Sequence, residues 1–94
     1  MNVRRVVLDV DKGLNRPTLL ELALAIERVP GVDAVNVSVT EMDMETMGTI
    51  ITVEGTAIDF NILIENIEDT GSVIHSVDEI AVGKKLIESI RRNE

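Results

Sequence analysis

Two rhythms of apolar and polar residues run along this chain, and the breaks between them fall on glycine or proline. Val3 to Asp11 alternates residue by residue. Val6, Leu8 and Val10 share one face and Arg5, Val7 and Asp9 the other, which is the period of a strand. Lys12-Gly13-Leu14-Asn15-Arg16-Pro17 breaks that pattern, and Pro17 suits the first turn of a helix, where a missing N–H costs nothing. From Thr18 to Val29 the spacing is helical, with Leu19, Leu22, Ala23, Ile26 and Val29 in one stripe. Pro30-Gly31 stops the helix, by steric clash and by permitting a left-handed turn. Val32, Val35, Val37 and Val39 predict a second strand, and Ile51 and Val53 a third that ends at Gly55. The acidic stretch Glu41 to Thr46, with Gly48 close by, reads as the hairpin between them. Thr56 is the expected N-cap of a second helix, with Asp59 three residues on in a short version of the capping box. That helix, from Ala57 to Glu68, buries Phe60, Leu63, Ile64 and Ile67. Gly71 ends the connection and Ser72 to Val82 predicts a fourth strand. Lys84 to Arg92 has the spacing of a short amphipathic helix through Leu86, Ile87 and Ile90.

The order β-α-β-β-α-β is the split pattern of ferredoxin-like α+β folds. It implies a four-stranded antiparallel sheet in the order 4-1-3-2, with both helices on one face. Ninety-four residues, 45% of them hydrophobic, suit one core. The expectation is a single domain over 1–94, with 83–94 as a C-terminal appendage.

Composition then narrows the chemistry. Phe60 is the only aromatic residue, so the platforms on which single-stranded nucleic acids stack are missing. A net charge of −8 repels a phosphate backbone, and no nucleic-acid partner is expected. Without cysteine there is no disulfide, thiolate nucleophile, zinc finger or iron–sulfur cluster. The start of the sequence has no signal-peptide core, and no long apolar span follows. A cytoplasmic location with no membrane partner is expected. The charges are also uneven: Val29 to Gly83 holds eleven acids and no Lys or Arg. That segment is a solvated acidic surface, a set of carboxylates converging on a cation, or a surface that meets the basic ends of another subunit.

Glu41-x-Asp43-x-Glu45-Thr46, Ile74-His75-Ser76-Val77-Asp78-Glu79-Ile80 and Val7-Leu8-Asp9 together resemble an archaeal family of small ferredoxin-like proteins, domain-of-unknown-function family 211. The similarity covers nearly the whole chain, and the His-Ser-Val-Asp-Glu run is its most specific piece. The resemblance implies the fold, assembly into closed rings (a hexamer or heptamer) and bound divalent ions. It brings no established activity and no catalytic residues. Pro30-Gly31-Val32 with the valines that follow is also similar to soft-metal-carrying domains of this fold. Those need two cysteines in the first loop, where this chain has Lys12 to Arg16, and a copper role is excluded because soft ions select thiolate ligands. Acylphosphatases share only the topology, since their Gly-rich phosphate loop is not matched here.

Asp9-Val10-Asp11-Lys12-Gly13 begins like a calcium loop, yet the sixth and twelfth positions are Leu14 and Leu20 instead of Gly and Glu. An EF-hand is ruled out. A looser calcium or magnesium site remains open, because the predicted sheet gathers Asp9, Asp11, Glu41, Asp43, Glu45, Glu68 and Asp69 at one end, and hard cations take oxygen ligands. The bland alternative is that the hairpin projects its acids into water. His75 is the only histidine, and an antiparallel fourth strand would bring it towards Asp9 or Asp11 as base, ligand or pH latch. Asp78 in the same run is a further candidate, and a structural histidine is the alternative. His75 and Ser76 lie on opposite strand faces, so they form no nucleophile–base pair. No feature of the chain points to an enzyme.

The remaining signal is apolar residues outside the core stripes. Ile58 and Ile62 stand one turn apart on the second helix, and Leu20 and Leu24 on the first. Either they pack between the helices of one subunit or they mark a subunit interface, with Leu86, Ile87 and Ile90 of the tail. The resulting expectation is a non-enzymatic homo-oligomer that binds calcium or magnesium at acidic sites, with no organic cofactor. The alternative is a regulatory module that takes a small metabolite at subunit interfaces.

Overall fold

The computed structural model describes residues 2–90. The elements are β1 (Val3–Gly13), α1 (Leu19–Glu27), β2 (Val32–Met42), β3 (Thr46–Gly55), α2 (Phe60–Asp69) and β4 (Val73–Val82). The four strands form one sheet in the order β2-β3-β1-β4, antiparallel at every pairing, which is the expected 4-1-3-2 order read from the other side. The alternation read in β1 holds: Val6, Leu8 and Val10 are fully buried together with Ile51 and Val53 of β3. Leu22 and Ile26 of α1 and Leu63 and Ile67 of α2 close the same cluster, so both helices cover one face and the other is open. Thr49 interrupts this apolar layer without cost, because its hydroxyl donates to the Val10 carbonyl at 2.7 Å. Lys12, at the end of the buried row, is 3% exposed and donates to the Gly13 carbonyl at 2.7 Å.

Three local expectations are corrected. Pro17 precedes α1 instead of opening it, and Thr18 is the N-cap. The Thr18 hydroxyl accepts from the Glu21 N–H at 3.0 Å and Glu21 Oε1 accepts from the Thr18 N–H at 2.9 Å, a full capping box. The second helix starts at Phe60 with Asp59 as its cap, whose carboxylate accepts from the Ile62 N–H at 3.2 Å. Before it the chain turns through Ala57 at φ 56, the left-handed region that an alanine seldom enters. The Ile58 N–H donates to the Val3 carbonyl at 2.9 Å and the Asp59 N–H to the Pro30 carbonyl at 3.0 Å. These tertiary bonds hold the corner and delay the helix by three residues. Last, 84–90 form no helix; a short tail cannot nucleate one alone.

Candidate functional site

The open face of the sheet carries the polar groups. Alternation in β1 sends Arg5, Val7, Asp9 and Asp11 there, opposite the buried Val6, Leu8 and Val10. Their neighbours follow from the register. Asp9 stands between Ile50 and Ser76, and Asp11 between Gly48 and Val73.

Arg5 organises one end of this face. Its Nε and Nη2 donate to Glu54 Oε2 at 2.9 and 2.6 Å, and its Nη1 reaches Glu79 Oε2 at 3.4 Å. Glu88 from the tail supplies both its oxygens, at 2.7 and 3.0 Å. The Arg5 side chain is only 13% exposed beneath them. Hydrogen bonding from Arg5 lowers the Glu88 carboxyl below its usual value, and the three carboxylates keep the guanidinium charged. The basic start of the chain therefore meets the acidic middle within one subunit. Lys84 and Lys85 stay exposed, and Arg91 and Arg92 lie outside the described residues.

The five expected metal ligands do not gather within one chain. Among the described residues no three His, Asp or Glu side chains come together as an ion site. The reason is the hairpin. Asp9 and Asp11 lie on the sheet surface opposite Ile50 and Gly48, whereas Asp43 and Glu45 sit on the turn that precedes Thr46. Asp43 Oδ1 is occupied in accepting from the Met44 N–H at 2.7 Å. Glu41 is the exception. A side chain on Gly48 would meet the Glu41 Cγ at 3.1 Å and its Oε1 at 3.6 Å, so Glu41 folds over the bare glycine, in the row that continues to Asp11.

His75 does not pair with Asp9 or Asp11. The β1–β4 register advances one residue on β1 and two on β4 at two places, leaving His75 and Asp78 as extra residues in bulges. Ser76 takes the place opposite Asp9, and its hydroxyl donates to Asp78 Oδ1 at 2.7 Å. His75 is exposed.

The expected interface residues divide. Ile58 is a core residue, 3% exposed, because the delayed helix leaves it at N′, one position before the cap. With Leu63 at N4 it occupies the two positions of a hydrophobic staple. Ile62 packs against the core and is partly covered. Leu20 and Leu24 remain exposed at 67% and 41%, and Leu86, Ile87 and Ile90 are exposed in the tail. Sequence reasoning missed the apolar edge of β4, where Val73, Val77, Ile80 and Val82 are all exposed. The signal was available: this strand carries apolar residues at both parities, which only a bulged or two-sided strand allows. It also missed a cavity of about 360 Å³ beside α1, lined by Arg16, Pro17, Glu21, Leu24, Arg28 and Thr70. Arg16 pairs with Glu21 there. The Glu21 carboxyl is lowered first by the Thr18 backbone N–H and then by Arg16.

The family described as uncharacterized ArCR, domain of unknown function 211, matches residues 4–94 of the chain. An uncharacterized protein of Methanocaldococcus jannaschii is 42% identical over 89 residues, covering 95% of this chain and 91% of that one.

Proposed function

The chain belongs to the archaeal uncharacterized ArCR family, and from that premise we propose that it is a non-enzymatic homo-oligomer, closed head to tail into a ring, that binds calcium or magnesium through acidic residues. The observation that carries this reading is apolar surface left at both sides of the domain. One patch joins the end of β4 to the tail, with Ile80 50% exposed, Val82 49% and Ile87 78%. The other lies across the sheet on the β2 side, at Leu20 and Leu24 of α1 with Val39. Monomers seldom expose patches of this kind. Two unlike surfaces on opposite sides join heterologously, and a heterologous contact repeated about an axis closes into a ring. The bulges at His75 and Asp78 disfavour simple strand addition at β4, so the contact is made by side chains.

The cation follows from the same geometry. Asp9, Asp11 and Glu41 carry carboxylates on one sheet face without a basic partner among the described residues. A hard cation demands about six to eight oxygens, so one subunit is short of ligands. Asp43 and Glu45, at the end of the hairpin, complete the shell from a neighbouring subunit. Sedimentation equilibrium at micromolar concentration should give several times the 10.3 kDa subunit mass. Calcium at one hundred times its Kd should stabilise the protein by about 2.7 kcal/mol. Asp11→Asn should blunt that gain. A monomer, or identical melting in calcium and chelator, refutes the reading.

The cavity beside α1 favours one second reading, a module regulated by a small anionic metabolite. Its volume is within the range of small-molecule pockets, and Arg16 and Arg28 line it. Stabilisation by anionic metabolites without response to calcium would select this alternative.

A further inference from the structure

The end of the β2–β3 hairpin concentrates a second kind of ligand. Three of the four methionines fall within one stretch of six residues, Met42, Met44 and Met47. Met42 is 67% exposed and Met44 89%, while Met47 is half-buried. A methionine in water gains nothing from burial, so two together on a turn are unexplained by the packing of this subunit. The register sets Met42 directly opposite Met47, which places their Cβ atoms about 5 Å apart. Between them the turn is closed by the Asp43 N–H donating to the Thr46 carbonyl at 2.8 Å, and Met44 lies on that turn. Met42 and Met47 thus face each other across the ladder, and Met44 lies on the turn that joins their strands.

We propose that Met42, Met44 and Met47 form a thioether site for a soft monovalent cation, the cuprous ion. The exclusion of copper drawn from the missing cysteines holds for thiolate sites only: soft ions also take thioethers, which are neutral and weaker donors, so the absence of cysteine removes one of the two kinds of sulfur ligand. Thioethers carry no proton to lose and no charge, which suits a monovalent ion and leaves binding independent of pH. Glu41, Asp43 and Glu45 interleave with the methionines and make the turn acidic, while the nearby base, Lys12 opposite Met47, is buried with its ammonium donating to the Gly13 carbonyl. The sulfur donors lie on the other face of the sheet from Asp9, Asp11 and Glu41, whereas Asp43 and Glu45 of the proposed calcium shell share the turn with Met44 and take no part in the thioether site. Met47 alternates with Gly48, so the Met42–Met47 pair lies on the helix side of the sheet and Asp9, Asp11 and Glu41 on the open side.

The test is titration of the intact protein with Ag(I), a redox-inert probe, and with anaerobically reduced Cu(I) against a chromophoric cuprous chelator. The methyl NMR signals of Met42, Met44 and Met47 should shift together at one equivalent of silver, and millimolar calcium should leave them in place. Met42→Leu/Met47→Leu conserves volume and so keeps the fold. It should weaken Cu(I) binding by at least about tenfold with an unchanged circular dichroism spectrum. Unmoved methyl signals, or equal affinity in the double variant, overturns the proposal. A double variant that loses sedimenting mass while silver moves nothing identifies the tip as a subunit contact, and overturns it as well.

Discussion

Ile58→Ala distinguishes a core residue from an interface residue at a position where the two descriptions predict opposite results. Ile58 is 3% exposed and belongs to the central apolar cluster. Burial of such a side chain contributes about 1.5–3 kcal/mol, and the void left by its removal raises the loss to about 2–5 kcal/mol. Collapse around the void is restricted here. The backbone on either side is tied by the Ile58 N–H to the Val3 carbonyl and the Asp59 N–H to the Pro30 carbonyl, and alanine keeps both bonds. A loss of about 3 kcal/mol is therefore expected. A domain of this length holds roughly 5–14 kcal/mol in all, so the change is large but survivable. It corresponds to a fall in Tm of about 12–24 °C, or a urea midpoint lower by about 1–3 M. The measurement is urea unfolding followed by far-ultraviolet circular dichroism at one fixed subunit concentration, since assembly makes stability concentration-dependent. Leu20→Ala is the control. Leu20 is 67% exposed, and at a dilution that separates subunits its loss should stay within about 0.5 kcal/mol. An Ile58→Ala midpoint equal to that of Leu20→Ala or of the wild type refutes the corner described for residues 55–59.

Gly31→Ala should abolish soluble protein. Gly31 has φ +89, and an added methyl would collide with the Ala57 carbonyl. Gly71→Ala, at φ +91 with open space around it, should cost only about 1–2 kcal/mol by thermal melting. Asp59→Ala should destabilise by about 1 kcal/mol and Thr56→Ala by much less, because only Asp59 caps α2; equal effects would restore the cap to Thr56. The tail should detach in acid. The Glu88 carboxyl is lowered from 4.5 by Arg5, so its contribution is complete above that value and disappears as pH falls through the lowered one. The methyl NMR signals of Ile87 and Ile90 should then move to unfolded positions as the pH falls below 4.5, and do so already at neutral pH in Glu88→Gln. Signals that ignore both changes contradict the Arg5–Glu88 contact.

The sequence alone determined what depends on neighbours along the chain. Alternation in β1 identified Val6, Leu8 and Val10 as core, and the helical stripes identified Leu22, Ile26, Leu63 and Ile67, because a period is a local property of a strand or helix. The Gly and Pro breaks were enough to order the elements, and the order with its short connections implied the sheet topology. Tertiary structure decided what depends on residues far apart. Arg5 finds Glu54 and Glu88 across separations of 49 and 83 residues, so its partner carboxylates could not be read from spacing. Thr56 and Asp59 were equivalent caps by residue type, and the choice fell to the bonds that Ile58 and Asp59 donate to the Val3 and Pro30 carbonyls, which moved Ile58 from the surface to the core. Bulges in β4 shifted His75 away from Asp9, since one extra residue in a strand changes every partner beyond it. The acids of the hairpin looked convergent as a run of letters. Folded, the sheet faces and the turn divide them, because neighbours in a strand point to opposite sides.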